Sequence, residues 1–151
     1  MGDIGELILL GMFLVVWVGD SFFLRQSTFL SKYLPLYIRL VILGFTLILG
    51  IYLFRSGHVV ISHEKRPNIL VTQGPFRYVR HPLYLASLLT YFGLTIATAS
   101  FFSLALFVGI FVFYNYIAGF EEQLLERKFG EEYRNYRGKT GKWIPRIRHH
   151  S

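Results

Sequence analysis

Four long apolar runs, parted by charged or turn-forming residues, constrain this chain more than any other feature of its sequence. They cover about 7–24, 34–54, 83–99 and 101–120. Each comes near the roughly 20 residues with which an α-helix crosses a bilayer. In 151 residues, 53% of them apolar and 18% aromatic, four such runs cannot all be hidden in a soluble core. The pattern predicts an all-α integral membrane protein, a single domain over 1–151, with about four transmembrane helices. The start, Met1-Gly2-Asp3-Ile4-Gly5-Glu6, is acidic where a signal peptide is basic, so the first run reads as a retained helix.

A polar connection, 55–82, separates the second and third runs, and a tail, 121–151, follows the fourth. Four crossings would put both termini, the connection and the tail on one side. That side holds Arg55, Lys65, Arg66, Arg77, Arg80 and the basic tail, against Arg25 and Lys32 opposite. Positive residues stay inside, so connection and tail are expected in the cytoplasm. The tail is amphipathic: Leu125, Phe129 and Tyr136 recur at helical spacing, while Glu126, Arg127, Lys128, Glu131 and Glu132 face elsewhere. Gly130 is placed to interrupt its helix. Lys142-Trp143-Ile144-Pro145-Arg146 has the character of a segment lying on a membrane surface.

Within the runs, Asp20 either sits at the interface or pairs with Arg25 or Arg39, or else lines a polar substrate cavity. Arg39 is expected to snorkel to headgroups, and Gly44 and Gly50 to allow close helix contact. The third and fourth runs are parted by little more than Ser100, so they form a tight hairpin.

The most informative polar stretch is Leu70 to Tyr84, Leu-Val-Thr-Gln-Gly-Pro-Phe-Arg-Tyr-Val-Arg-His-Pro-Leu-Tyr. Gly74-Pro75 forces a turn, and Pro82 pre-sets a helix start. Tyr78, Arg80 and His81 therefore stand at a helix mouth, where free backbone donors and the helix dipole suit an anionic or polar ligand. The hairpin should bring His81-Pro82 at its entrance beside Glu121 at its exit. Glu121 and Glu122 directly follow a lipid-depth run, where basic anchors are the norm, which favours a functional role. The plainer alternative is interfacial aromatic anchors and a solvated acidic face.

With no cysteine, thiolate chemistry is excluded. The spacing of His58, His63 and His81 fits no zinc pattern, and no metal is expected. The net charge of +7 tracks the face expected to meet anionic lipid headgroups, so membrane lipids and not nucleic acid are the expected partners.

The run Leu70-Val71-Thr72-x-Gly74-Pro75-Phe76-Arg77-Tyr78-Val79-Arg80-His81-Pro82-x-Tyr84 is followed by Glu121-Glu122-x-x-Leu125 and Phe129-Gly130-Glu131-Glu132-Tyr133-x-x-Tyr136. Together these resemble the isoprenylcysteine carboxyl methyltransferase and phospholipid methyltransferase superfamily over about the C-terminal two thirds of the chain. The resemblance implies a membrane enzyme that uses S-adenosylmethionine and releases S-adenosylhomocysteine. Connection, hairpin mouth and tail would close a cofactor pocket on the cytoplasmic side. Its cofactor contacts carry over to Asn68, Ile69, Leu70, Val71, Phe76, His81, Pro82, Leu83, Tyr84 and Glu121. Prenylcysteine enzymes carry an arginine about one turn before the glutamate pair, and Tyr114-Asn115-Tyr116-Ile117-Ala118-Gly119-Phe120 contains none. Asn115, Tyr116 or Asp20 would then orient a different lipid-like or prenylated acceptor. Membrane steroid and sterol reductases, which use NADPH, resemble the same layout and form the alternative reading; a non-catalytic scaffold is a third.

Overall fold

The computed structural model describes residues 2–20, 32–63 and 69–146. Five α-helices form there: α1 (Gly2–Val18), α2 (Leu36–His63), α3 (Pro82–Thr98), α4 (Phe101–Phe129) and α5 (Glu131–Lys139), with a 3₁₀ turn at Gly74–Arg77. Among the described residues there is no β-strand, only a bridge between Val79 and Gly141. The end of the first apolar run, Arg25, and the cofactor candidate Asn68 lie outside the described residues.

Two helices outrun their expected ends, α2 continuing past Phe54 to His63 and α4 past Phe120 to Phe129. Neither stretch contains a proline, and a helix whose backbone is already bonded has no reason to stop where its side chains turn polar. Gly130, at φ 53°, ends α4. Leu36–Ile61 and Phe101–Phe129 are long and apolar enough to cross a membrane, while Leu7–Val18 and Pro82–Thr98 are shorter apolar helices. Only 11% and 22% of the most apolar windows of the two long helices are buried, so they are not the core helices of a soluble fold. Leu40, Val41, Phe45, Ile48 and Ile51 on α2 and Val108, Phe111 and Val112 on α4 face outward. Apolar surface on this scale asks for an apolar solvent.

The chain divides into two compact units, and α2, α3 and α4 contribute residues to both. The first comprises Met1–Leu49 and Ser87–Phe113. Its centre is the α3–α4 turn, where Ala99 takes φ 51°. Ser100 caps α4, its Oγ accepting from the Ser103 N–H at 3.1 Å and its hydroxyl donating to Asp20 Oδ2 at 2.5 Å. Asp20, 3% exposed, is thus tied to the turn rather than to Arg39. Arg39 does not reach for headgroups either: it donates to the Ala97 carbonyl at 2.8 Å. Trp17 Nε1 donates to the Leu94 carbonyl at 2.9 Å and to Thr98 Oγ1 at 3.1 Å. Ala97 lies in the last turn of α3, where carbonyls lack helical partners, and in an apolar setting the Arg39 side chain from α2 satisfies it better than distant water.

Close helix contact in this unit comes at Gly93, not at Gly44, which has open space around it. A Cβ on Gly93 would collide with the Thr46 hydroxyl, which is bonded back to the Ile42 carbonyl at 2.9 Å. Phe13, fully buried, packs on Tyr91 with ring centres 4.8 Å apart.

The second unit, Gly50–Ala86 and Tyr114–Ser151, carries the polar stretch. Gly74 sits at φ 58°, and any Cβ there would stand 2.8 Å from Val60 Cγ2. Conformation and space both require glycine at this position. Tyr136 fastens the turn to α5 by donating to the Phe76 carbonyl at 2.6 Å.

Replacing Ser100 by Ala removes the α4 cap and the hydroxyl that meets Asp20. We expect a loss of about 1 kcal/mol or slightly more in unfolding free energy, whereas Ser100→Thr keeps most of it. Unfolding of the detergent-solubilised variants measures this, and equal losses for Ala and Thr would contradict the cap.

Candidate active site

Arg80 and Glu122 are adjacent to the two residues on which the sequence places most weight, and they hold the second unit together. Arg80 Nε lies 2.9 Å from Glu122 Oε1, with the side chains only 10% and 9% exposed. The same guanidinium donates through Nη1 to the Thr140 carbonyl at 2.5 Å and the Arg137 carbonyl at 3.3 Å. It thereby caps the C-terminal end of α5, where a cation meets the negative end of the dipole. The Arg80 N–H donates to the Gly141 carbonyl at 2.9 Å. One residue therefore joins the helix mouth, α4 and the tail.

His81, 7% exposed, stands 3.1 Å through Nε2 from the same Glu122 oxygen. A carboxylate only accepts, so Nε2 carries the proton in this bond. His81 Nδ1 lies 3.7 Å from Glu121 Oε2, and Tyr84 donates to Glu121 Oε1 at 2.6 Å. The ring of Tyr84 stacks on His81 at 5.8 Å and on Tyr114 at 5.0 Å. Pro82 is buried and opens α3, while Leu83 turns to α2, its Cδ2 3.0 Å from where a Cβ on Gly57 would be.

A cavity of about 220 Å³ opens on one side of this group. Ile69, Leu70, Val71 and Phe76 line it from the connection, with Arg80 and His81 at the helix mouth. Leu125, Lys128 and Phe129 of α4 and Tyr133 and Tyr136 of α5 complete it. Tyr133 is 1% exposed, and its hydroxyl has no hydrogen-bond partner among the described residues. Burial, helped by the Glu122 carboxylate, pushes this phenol up to about 12, and burial does the same to Tyr136. Both stay protonated donors at ordinary pH.

The residues singled out by sequence thus divide. Ile69, Leu70, Val71, Phe76 and His81 line the cavity; Pro82, Leu83, Tyr84 and Glu121 do not. Sequence reasoning placed Arg80 at the helix mouth but missed Glu122 as its buried partner, and missed Leu125, Lys128, Phe129, Tyr133 and Tyr136 as cavity walls. Lys128 was expected to face away with the other charges of the tail, but its stem follows the wall and its Nζ sits 5.2 Å over the Phe129 ring. Long basic side chains cover apolar surface in this way. The only signal for Glu122 was its adjacency to Glu121, because the rotation of α4 decides which of the two points inward.

Asn115 is exposed and engaged by the tail: Lys142 Nζ donates to its Oδ1 and to its carbonyl, both at 2.9 Å, and Trp143 Nε1 donates to Oδ1 at 3.3 Å. Tyr116 is 76% exposed. Trp143 is half-buried, its ring centre 5.8 Å from that of His81, while Ile144 beside it is exposed. The α4 stretch that lacks an arginine thus receives a cation from the tail. No group of three or more potential metal ligands occurs among the described residues.

The phospholipid methyltransferase family model matches residues 36–132, which include the turn, His81 and both glutamates. The chain is similar to the protein-S-isoprenylcysteine O-methyltransferase of Schizosaccharomyces pombe, 33% identical over 134 residues, 82% of this chain and 56% of that protein. It is also similar to methanethiol S-methyltransferase 1 of Bradyrhizobium diazoefficiens, 30% identical over 92 residues, 58% of this chain and 32% of that protein. The chain spans little more than half the length of the first relative and about a third of the second.

The adjacent glutamates differ in burial, and their substitutions should differ accordingly. Glu122→Gln strands a buried guanidinium, and we expect a loss of about 3 kcal/mol in stability. Glu121→Gln, at a side chain 43% exposed, should cost under about 1 kcal/mol. Unfolding midpoints of the two proteins check this, and similar losses would contradict the assignment.

Proposed function

This chain belongs to the phospholipid methyltransferase family, and from that premise we propose that it is a membrane methyltransferase moving a methyl group from S-adenosylmethionine to a lipophilic acceptor. The observation that carries the reading is the Tyr133 hydroxyl, buried without a partner among the described residues, in a residue that lines a mainly apolar cavity next to Arg80 and His81. A buried hydroxyl left unbonded costs about 1–3 kcal/mol, and a ligand with a polar edge removes that cost. The donor set fits the cofactor. Ile69, Leu70, Val71 and Phe76 would hold a flat aromatic base, and Asn68 precedes them in the chain. Tyr133 would bond its polar edge. Glu121, whose Oε2 is 3.7 Å from the nearest His81 nitrogen, keeps accepting capacity for ribose hydroxyls or an ammonium group.

When bound, the cofactor supplies an electrophilic methyl on a sulfonium. The protein's part is alignment and exclusion of water, without a covalent nucleophile. Tyr84, stacked between His81 and Tyr114 and bonded to Glu121, is a rigid aromatic wall suited to that task. Asn115, with Lys142 bound to it, would orient a polar group on the acceptor; exposed Tyr116 would meet its apolar part. One relative is named for isoprenylcysteine and the other for methanethiol, which supports a lipid-like or small apolar acceptor here. In this reading the four apolar helices cross the bilayer, with connection, tail and both termini in the cytoplasm.

Calorimetric titration of the detergent-purified chain with S-adenosylhomocysteine, and with NADPH in parallel, tests the proposal. Saturable binding of the first and none of the second is expected. Binding of NADPH alone would replace the reading by a reductase, and binding of neither by folded protein would leave a scaffold. Tyr133→Phe should weaken S-adenosylhomocysteine about tenfold, one hydrogen bond's worth, while the unfolding midpoint of the ligand-free protein rises, because the unbonded hydroxyl is gone.

A further inference from the structure

A second cavity, of about 380 Å³, shares the Tyr136 side chain with the first as part of its wall. Three cations from three segments line it: Arg77 from the 3₁₀ turn, Lys139 from the end of α5 and Arg146 from the tail. None has a carboxylate partner among the described residues. Of the three, only Arg146 makes a side-chain hydrogen bond among the described residues, from Nη1 to the Gly138 carbonyl at 2.5 Å. Other α5 cations behave differently. Arg134 is paired with Glu131 at 2.6 Å, and Arg137 with Glu126 at 3.2 Å. The helix thus has its paired cations at 134 and 137 and its unpaired one at the cavity. Thr72 and Tyr78 add two hydroxyls to the lining.

Like charges gathered around one concavity repel each other, and an anion among them removes the repulsion. A guanidinium fork, an ammonium and hydroxyl donors match the several oxygens of a phosphate better than the two of a carboxylate. The Tyr136 hydroxyl donates to the Phe76 carbonyl, so its proton is already committed. We infer that this cavity binds a phosphate group, separately from the methyl-donor cavity. The phosphate comes either as the free anion or as the headgroup of an anionic phospholipid.

The test uses the full chain in neutral detergent. It is titrated with inorganic phosphate and, separately, with short-chain phosphatidylglycerol, phosphatidylcholine being the zwitterionic control. Arg77→Gln and Lys139→Gln should each weaken binding about fivefold, the scale of one partly exposed charge contact. Arg127→Gln, the same charge change away from the cavity, should leave it unaltered. Saturable binding of inorganic phosphate with this pattern identifies the free anion as sufficient. Binding of phosphatidylglycerol alone with this pattern identifies the lipid headgroup. Binding of neither overturns the inference. So does phosphatidylcholine bound as tightly as phosphatidylglycerol, or Arg127→Gln as damaging as Arg77→Gln. Unfolding midpoints confirm that the variants fold, as expected for exposed side chains.

Discussion

The ion pair of Arg80 with Glu122 is the contact on which the second unit depends. Burying a guanidinium and a carboxylate is costly unless each is fully engaged. Here Arg80 also bonds two carbonyls at the end of α5, and Glu122 also meets His81. Once the pair forms, the mouth of α3, the lower part of α4 and the start of the tail have little freedom left. His81 is oriented from one side by Glu122, and its ring stacks against Tyr84 on another. The geometry of the proposed cofactor site is thus set by an interaction that need not itself touch the cofactor.

The first unit solves a different problem. Its helices expose apolar side chains outward, so polar groups at helix ends must find partners within the protein. Trp17, Arg39, Asp20 and Ser100 do this around the α3–α4 turn. Two charged residues within the apolar runs, Asp20 and Arg39, thus bond to the residues that close the hairpin.

The tail has more than one task. Tyr133 and Tyr136 wall the cavity beside His81, Lys142 and Trp143 lie on Asn115, and Lys139 and Arg146 line the cationic cavity. Its aromatic residues are directed inward and its unpaired cations to the rim. The segment that looks like a surface anchor in sequence also reaches inward, Lys142 and Trp143 to Asn115 and Pro145 and Arg146 to the wall of the cationic cavity.

The apolar runs, the Gly-Pro turn and the Pro82 helix start were legible because each rests on local physics: helix length, the φ freedom of Gly74, the fixed φ of Pro82. The spacing of His81 and Glu121 across a hairpin followed from Ser100 being almost the whole connection. Helix ends were less legible, since polar side chains do not by themselves stop a helix and α4 runs on through them to Gly130. What the sequence determined by itself is therefore the all-helical apolar architecture and the identity of the polar stretch and the glutamate pair. Tertiary structure alone decided that Glu122 rather than Glu121 is buried, that Arg39 and Asp20 serve the α3–α4 turn, and that Lys128 and Tyr133 line the cavity. Those outcomes depend on how each helix is rotated about its axis, and that rotation is fixed by partners distant in the chain, which no local pattern encodes.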